Sequence, residues 1–564
     1  MISEIRTGVA NKKSILYNRN MSEKKSRSLL SAGLSLSFFT LCSRILGLVR
    51  EMTKAAFLGT SKYADAFGIA FMIPNLLRRL FAENAISVAF IPTFKGYLED
   101  GEAAGGKQTI REFLSATITL ITFLTTCVVL AGILLTPLIV RIFLDNDDKS
   151  LLSETTILTR IMFPYLIVIS IAAFFQGVLN GVKIFSPSGF TPVLFNSVVI
   201  AATYILTPIL TGSIDDGEFR SKMAARAMSI GVISGGCVQA LFQLPFVLKT
   251  GWTFHFTTLR KAFSNPGTRR VMKLIVPTII GMAAYQLNDV VSTALAGKAG
   301  TGIVSSLQYS LRLQELILGI FAVSIGTVIL PDLSGLAKKE MWSDFNDMLT
   351  QASKIMALIS IPVTFFSLVC GREIISLVYK SNRFSDESVH LTLVAFRMHI
   401  AGLFFIALNR IISPAFYAQG NTKSPTTAGI IGFAVNIALA IAVVAFRNDG
   451  TGAGIALALS IASFANSIAL FIFLKKNKNL DVKAVTRGTI FYALKLVIFS
   501  IVAALPTYFL RNALLPAFEN HGRLIGFGLP LFACALAFAL VGVLLLVITK
   551  DEIVRVIIRK VRRR

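Results

Sequence analysis

Fourteen long apolar runs, separated by short charged or Gly/Pro-containing breaks, follow one another along the chain, and this alternation limits the fold more than any single motif does. A helix needs about 20 mostly apolar residues to cross the hydrocarbon layer, whereas a membrane β-strand shows only about 10 alternating ones. The runs at 29–49, 63–93, 113–143, 154–179, 187–210, 223–247, 271–295, 304–331, 347–371, 387–417, 425–446, 452–474, 488–510 and 523–548 are continuous and meet the first requirement. They predict an all-α polytopic membrane protein with about 14 transmembrane helices, since a segment in lipid must bond its own backbone. Composition agrees, with 54% hydrophobic and 15% charged residues and a mean hydropathy of +0.70. The longest break, 248–270, holds Trp252 and a basic patch but is too short to bury a core, so no soluble catalytic domain fits.

With an even number of spans both termini share a side, and the loops on that side carry most of the Lys and Arg. The alternate loops carry the acidic clusters Asp145, Asp147, Asp148 and Asp215, Asp216, Glu218. The positive-inside rule therefore predicts cytoplasmic termini, and the net charge of +26 is a topology and lipid-surface signal, not one for nucleic acid. Residues 1–28 are polar and basic without an apolar core and small-residue cleavage site, so they do not read as a cleaved signal peptide. Cys42, Cys127, Cys237, Cys370 and Cys534 all fall in predicted spans without a CxxC pair; they read as small buried packing residues, with no metal site suggested.

Internal repetition organises the rest. IPTFKG ending at Gly96 resembles LPDLSG ending at Gly335, an offset of 239; Gln176–Gly177 recurs as Gln419–Gly420, an offset of 243; and Asn196 meets Asn436, an offset of 240. A near-constant offset predicts two six-span lobes in parallel orientation, related by an axis along the membrane normal and leaving a cavity between them. The expected organisation is a basic segment 1–28, an N-lobe 29–247, a linker 248–270, a C-lobe 271–474, a C-terminal helix pair 475–548 and a basic tail 549–564.

Charges within spans are costly and need a reason. SRILGLVRE contributes Arg44, Arg50 and Glu51; ADAFGIAFMIPNLLRRLFAENAI contributes Asp65, Arg78, Arg79 and Glu83; QYSLRLQEL contributes Arg312 and Glu315. Spacing pairs Arg79 with Glu83 and Arg312 with Glu315. Asp65 lies 13 residues before Arg78, about 20 Å along a helix and too far to pair. Arg78 and Arg44 are then left over, and guanidinium groups hold phosphate oxygens in bidentate fashion. A cavity lined by such arginines implies an anionic, phosphate-bearing ligand inside the membrane domain. Asn288 and Asp289 in YQLNDVVSTAL, with Asn436, form a second polar spot that reads either as a cation-coupling site or as structural hydrogen bonding. Arg397, His399 and Arg410 are placed facing loops or the lobe interface more readily than substrate.

The stretches LCSRILGLVRE, ADAFGIAFMIPNLLRRLFAENAISVAFIPTF, RLQELILGIFAVSIGTVILPDLS and SPAFYAQGNTKSP resemble the signatures of the MurJ (MviN) family of lipid II flippases, in the multidrug/oligosaccharidyl-lipid/polysaccharide exporter superfamily. The resemblance runs from about residue 29 onward and implies a transporter, not an enzyme. Its implied cargo is the undecaprenyl-pyrophosphate-linked disaccharide pentapeptide, moved from the inner to the outer leaflet of the cytoplasmic membrane. It implies that Arg44, Arg50, Arg78 and Arg312 hold the pyrophosphate, that Asp65 and Glu83 are acidic cavity positions, and that the last two helices groove the polyprenyl tail. Leu311 departs from the acid many relatives carry there. No bound cofactor is implied, Na+ and H+ stay open as coupling ions, and membrane lipids and other cell-wall synthesis proteins are the expected partners. Two other readings compete: a polysaccharide or drug exporter of the same superfamily, and an enzyme acting on polyprenyl phosphates. The enzyme would need a metal-binding carboxylate pair on the cytoplasmic side, which the sequence does not show.

Overall fold

The computed structural model describes residues 38–80, 86–100, 106–144, 148–214, 216–446, 451–477, 479–518 and 521–555, and gives no side-chain placement at 87, 276–285 and 320–328. Glu83, Asp145, Asp147 and Asp215 fall outside the described residues. The described chain is helical: α1 (38–58), α2 (Lys62–Leu77), α3 (Ile91–Asp100), α4 (Gly106–Phe143), α5 (Lys149–Met162), α6 (Tyr165–Gly181), α7 (Ser186–Thr211) and α8 (Gly217–Lys249), then a short α9 (Leu259–Ser264). The second half runs α10 (Pro266–Ala299), α11 (Ile303–Lys338), α12 (Trp342–Tyr379), α13 (Asp386–Ala401), α14 (Leu403–Ala418), α15 (Lys423–Phe446), α16 (Thr451–Leu474), α17 (Val482–Phe518) and α18 (Leu529–Ile548).

Among the described residues nine helices are long and apolar enough to cross a membrane, ten if α13 and α14, bent by 41°, form one span. The first, second, seventh and eighth predicted runs coincide with α1, α2, α10 and α11. The first run continues to residue 58, beyond its expected end at 49. In the second, Pro74 removes a backbone donor within α2, and the chain passes into π-helical winding at 78–80 and again at Ile86–Phe90. Of the five cysteines only Cys370 and Cys534 are buried; Cys127 is exposed on α4, so packing does not account for all of them.

Buried apolar residues gather in two large clusters, one drawn mainly from 58–247 and the other mainly from 309–485. The C-terminal pair packs on α12 through Tyr492, Leu496, Ala357 and Ile361. Ion pairs fasten it: Arg511 to Glu373 at 2.7 Å, and Lys495 to Asp551 at 2.6 Å. The linker is strapped to the N-lobe, with Trp252 against Phe94, Phe254 between Phe174 and Phe175, and the amides of His255 and Thr257 donating to Ser115 and Thr119 of α4.

On the face opposite the linker the two clusters meet tightly. The Tyr309 hydroxyl of α11 donates to the Gly59 carbonyl at 2.9 Å, and Thr60 bonds Ser388 at 2.8 Å. Gly59 has a φ of +58° and sits so close to the Arg383 carbonyl that a Cβ would lie 2.2 Å from it, so a side chain is excluded both by backbone conformation and by space.

Candidate functional site

Two adjoining cavities, about 550 and 330 Å³, lie at the junction of the lobes and share Arg50, Phe71, Asn75, Arg312 and Glu315. The larger brings together Arg44 and Arg50 of α1, Arg78 from the π-helical winding, Arg312 of α11 and Arg410 of α14. Four of the predicted arginines therefore converge, although they come from three separate stretches of chain. Each is placed differently. Arg50 pairs with Glu51 at 2.8 Å, donates to Asn196 at 3.2 Å and lies over the Phe71 ring. Arg312 pairs with Glu315 at 3.3 Å, as its spacing predicts. Arg78 donates from Nε to the neutral Asn75 at 3.0 Å. Arg44 and Arg410 have neither hydrogen bond nor acid partner among the described residues.

Small residues let these long side chains cross between helices. Arg312 of α11 lies against Gly47 of α1, where a Cβ would sit 2.2 Å from its Nη2; Arg44 of α1 lies against Gly319 of α11, where a Cβ would sit 1.4 Å from its Nη1. The two contacts are reciprocal, each helix supplying one arginine and one glycine.

The smaller cavity is mixed in charge. It takes in Glu51, Lys54, Arg79, Asn288 and Asp289 beside the shared residues. Arg79 pairs with Asp289 at 3.5 Å and donates to Gln286 at 3.1 Å, tying the second predicted span to the seventh across the lobe junction. Its expected pairing with Glu83 lies outside the described residues. Asn436 donates to Asn288 at 2.8 Å and to Ser292 at 2.9 Å, whereas Asp289, on an adjacent face of α10, turns to Arg79 instead. The three expected coupling residues are thus neighbours that do not converge on one point.

Asp65 does not line either cavity. It is 2% exposed and accepts from the backbone amides of Gly302 and Ser305, capping α11 from the other lobe. The orphan amides and partial positive charge of a helix start explain its burial, so its matched acidic cavity position is corrected to an inter-lobe cap. Asp148 and Asp216 likewise cap α5 and α8 and are not merely solvated loop charges.

Arg410 lines the larger cavity at the lobe junction, one of the placements expected for it; no acid stands three or four positions from it. Sequence reasoning missed Lys54 altogether. Lys54, 3% exposed, donates to Gln308 at 2.8 Å beneath the Tyr309 ring. His399 is buried against Ser310, and Arg397 is exposed. Other buried charges serve packing alone: Arg226 grips Glu154 through two bonds of 2.8 and 2.9 Å within the N-lobe. Among the described residues no group of three or more His, Cys, Asp or Glu could hold a metal.

The sequence profile of the family described as "Lipid II flippase MurJ" matches residues 54–522. The chain belongs to the lipid II flippase MurJ family. It is similar to "Probable lipid II flippase MurJ" of Treponema pallidum (strain Nichols), 45% identical over 542 residues that cover 96% of this chain and 99% of the relative. The "Lipid II flippase MurJ" of Burkholderia cenocepacia is 32% identical over 419 residues, covering 74% of this chain and 77% of that one. A solved MurJ structure, "Lipid II flippase MurJ, inward closed conformation", superposes with a TM-score of 0.72 at 25% identity over 92% of this chain and 99% of its own. An inward-facing multidrug resistance MATE family transporter of the MOP superfamily shares the fold at a TM-score of 0.60 and 14% identity, over 81% of this chain and 99% of its own. The MurJ relationship places the arginine-lined cavity in a multi-pass membrane transporter of all-α, MOP-type fold.

Proposed function

We propose that this chain flips lipid II, the undecaprenyl-pyrophosphate-linked disaccharide pentapeptide, from the inner to the outer leaflet by alternating access of its inter-lobe cavity. The observation that carries the reading is the convergence of Arg44, Arg50, Arg78, Arg312 and Arg410 on one cavity inside the apolar helix bundle, in a chain of this family. Planar guanidinium groups match the oxygens of a pyrophosphate in pairs. Arg50 and Arg312 are held by acids, which limits the net attraction and favours release as well as capture. The polyprenyl tail stays in lipid beside the α17–α18 pair, where large apolar side chains such as Phe509, Phe532 and Leu540 are exposed.

The charge bias of the loops supports cytoplasmic termini, so the tightly sealed face opposite the linker is the outer one, and it must part for release. Moving a pyrophosphate charge outward across an inside-negative membrane gains about 2.3 kcal/mol per charge per 100 mV, so the membrane potential favours export. Coupling to Na+ or H+ belongs at α10: a cation binding Asp289 would compete with Arg79 and so loosen the lobe junction. Contacts with other cell-wall synthesis proteins are a further expectation of the family role.

The test is reconstitution of the purified protein in liposomes with lipid II added to one leaflet. Appearance of lipid II on the opposite leaflet, dependent on the protein and faster under an imposed potential, is the expected result. No transfer by protein that binds lipid II in the same liposomes would overturn the reading.

A further inference from the structure

The larger cavity has a second wall that the arginines do not explain. It is built by α6, α7 and α8, and none of the charged residues lining the cavity comes from these helices. Gln239 and Gln243 stand one turn apart on the same face of α8, with Ser188 at the start of α7. They are 7%, 1% and 6% exposed, yet the Oε1 of each glutamine and the Oγ of Ser188 have no hydrogen-bond partner. Buried polar atoms are rarely left so.

The orientation of Gln243 is fixed, because its Nε2 donates to the main-chain carbonyls of Ala172 and Gln239, both at 3.2 Å. Reversing the amide would set its oxygen against two carbonyl oxygens, so the end left without a partner is the acceptor. Asn196 joins this wall to the cationic one: its amide donates to the Ser43 carbonyl while its oxygen accepts from Arg50. Tyr165 and Phe195, packed with ring centroids 5.8 Å apart, add aromatic surface beside it.

We infer that Gln239, Gln243 and Ser188 receive the hydroxyl and amide N–H donors of the N-acetylated sugars in the cargo's headgroup. The inference rests on the flippase reading above and deepens it: the arginines hold the pyrophosphate, and this wall recognises what the pyrophosphate is attached to. Neutral acceptors suit a neutral donor-rich ligand. The sugars are bonded directly to the pyrophosphate, which places them next to the arginines, whereas the peptide lies farther along the headgroup.

The experiment measures binding of three probes to the purified full-length protein: undecaprenyl pyrophosphate, its disaccharide-bearing form without peptide, and complete lipid II. For the double variant Gln239→Leu/Gln243→Leu, affinity for both sugar-bearing lipids should fall about tenfold, with undecaprenyl pyrophosphate bound as by wild type, which also shows that the variant is folded. Equal affinity of wild type and double variant for all three probes overturns the inference. So does an equal loss for all three, which makes the glutamines structural, or a loss for complete lipid II alone, which assigns the wall to the peptide. Arg44→Ala should weaken all three; if it weakens none, the flippase reading of the cavity fails, whatever the glutamines do.

Discussion

Asn196 and Asn436 occupy equivalent places in the two lobes, the fifth helix of each, and each bonds the first helix of its own lobe. In the N-lobe the asparagine grips Arg50 and the α1 backbone; in the C-lobe it grips Asn288 and Ser292 of α10, beside Asp289. One joint has kept its geometry and changed its charge. The cationic version faces the larger cavity and the neutral one, with an adjacent carboxylate, faces the smaller. Under the proposed function, the same joint serves an anion-holding wall in one lobe and a neutral wall beside a carboxylate in the other.

The comparison breaks first at Arg44. Arg44→Ala should cut lipid II transfer by about 100-fold while the protein accumulates normally, because no acid among the described residues is stranded by its loss. Arg44→Lys should keep part of the activity, since charge survives but the planar fork does not. Transfer in liposomes beside membrane protein level checks both, and normal transfer by Arg44→Ala would remove the anion role from the N-lobe.

Next comes the reciprocal glycine contact. Gly319→Ala places a methyl where the Arg44 guanidinium lies, so transfer should drop about tenfold through misplacement alone. Binding and transfer equal to wild type would show that the guanidinium finds another productive position.

The asparagines give the direct contrast. Asn196→Leu should lower affinity for undecaprenyl pyrophosphate about fivefold by freeing Arg50 from one partner. Asn436→Leu and Asp289→Asn should leave that affinity unchanged and alter instead the dependence of transfer on Na+ or pH. Matching effects at the two asparagines would mean the lobes have not diverged in role.

The smallest effect is expected far from either joint, at Asp551. Burial opposes its charge, but Lys495, the amides of Ile553 and Val554 and the Tyr492 hydroxyl outweigh that and hold its carboxyl below the ordinary range. The stability it contributes is present above about pH 4 and is lost as pH falls through the depressed value. Asp551→Asn should therefore lower Tm modestly at neutral pH and leave transfer intact; once pH falls below the depressed value, the variant and wild type should converge.

The all-helical membrane fold, and the gathering of Arg44, Arg50, Arg78 and Arg312 around one cavity, were legible because they are written in local pattern: run length, and charges inside apolar runs. Arg410, named from sequence as facing loops or the lobe interface, also lacks an acid one turn away, its neighbours at three and four positions being Ile406, Ala407, Ser413 and Pro414. Asp65 was not legible, since its partners lie 237 and 240 residues away and are backbone amides that carry no residue signature. Lys54 was hidden by an expected helix end placed too early, and its partner Gln308 is 254 residues away. The acceptor wall was hidden for another reason: a glutamine pair in an apolar span looks the same whether its amides are satisfied by the backbone or offered to a ligand.

The cap at Asp65 has an energetic consequence for the resting position of the protein. The first turn of α11 is completed only while the other lobe supplies its carboxylate. Parting the lobes on that face uncaps the helix and leaves Asp65 to be rehydrated. A cap is worth about 1 kcal/mol, a factor of about five in population, so this one contact biases the chain by that factor toward the state in which the face opposite the linker is closed, and parting that face must overcome it.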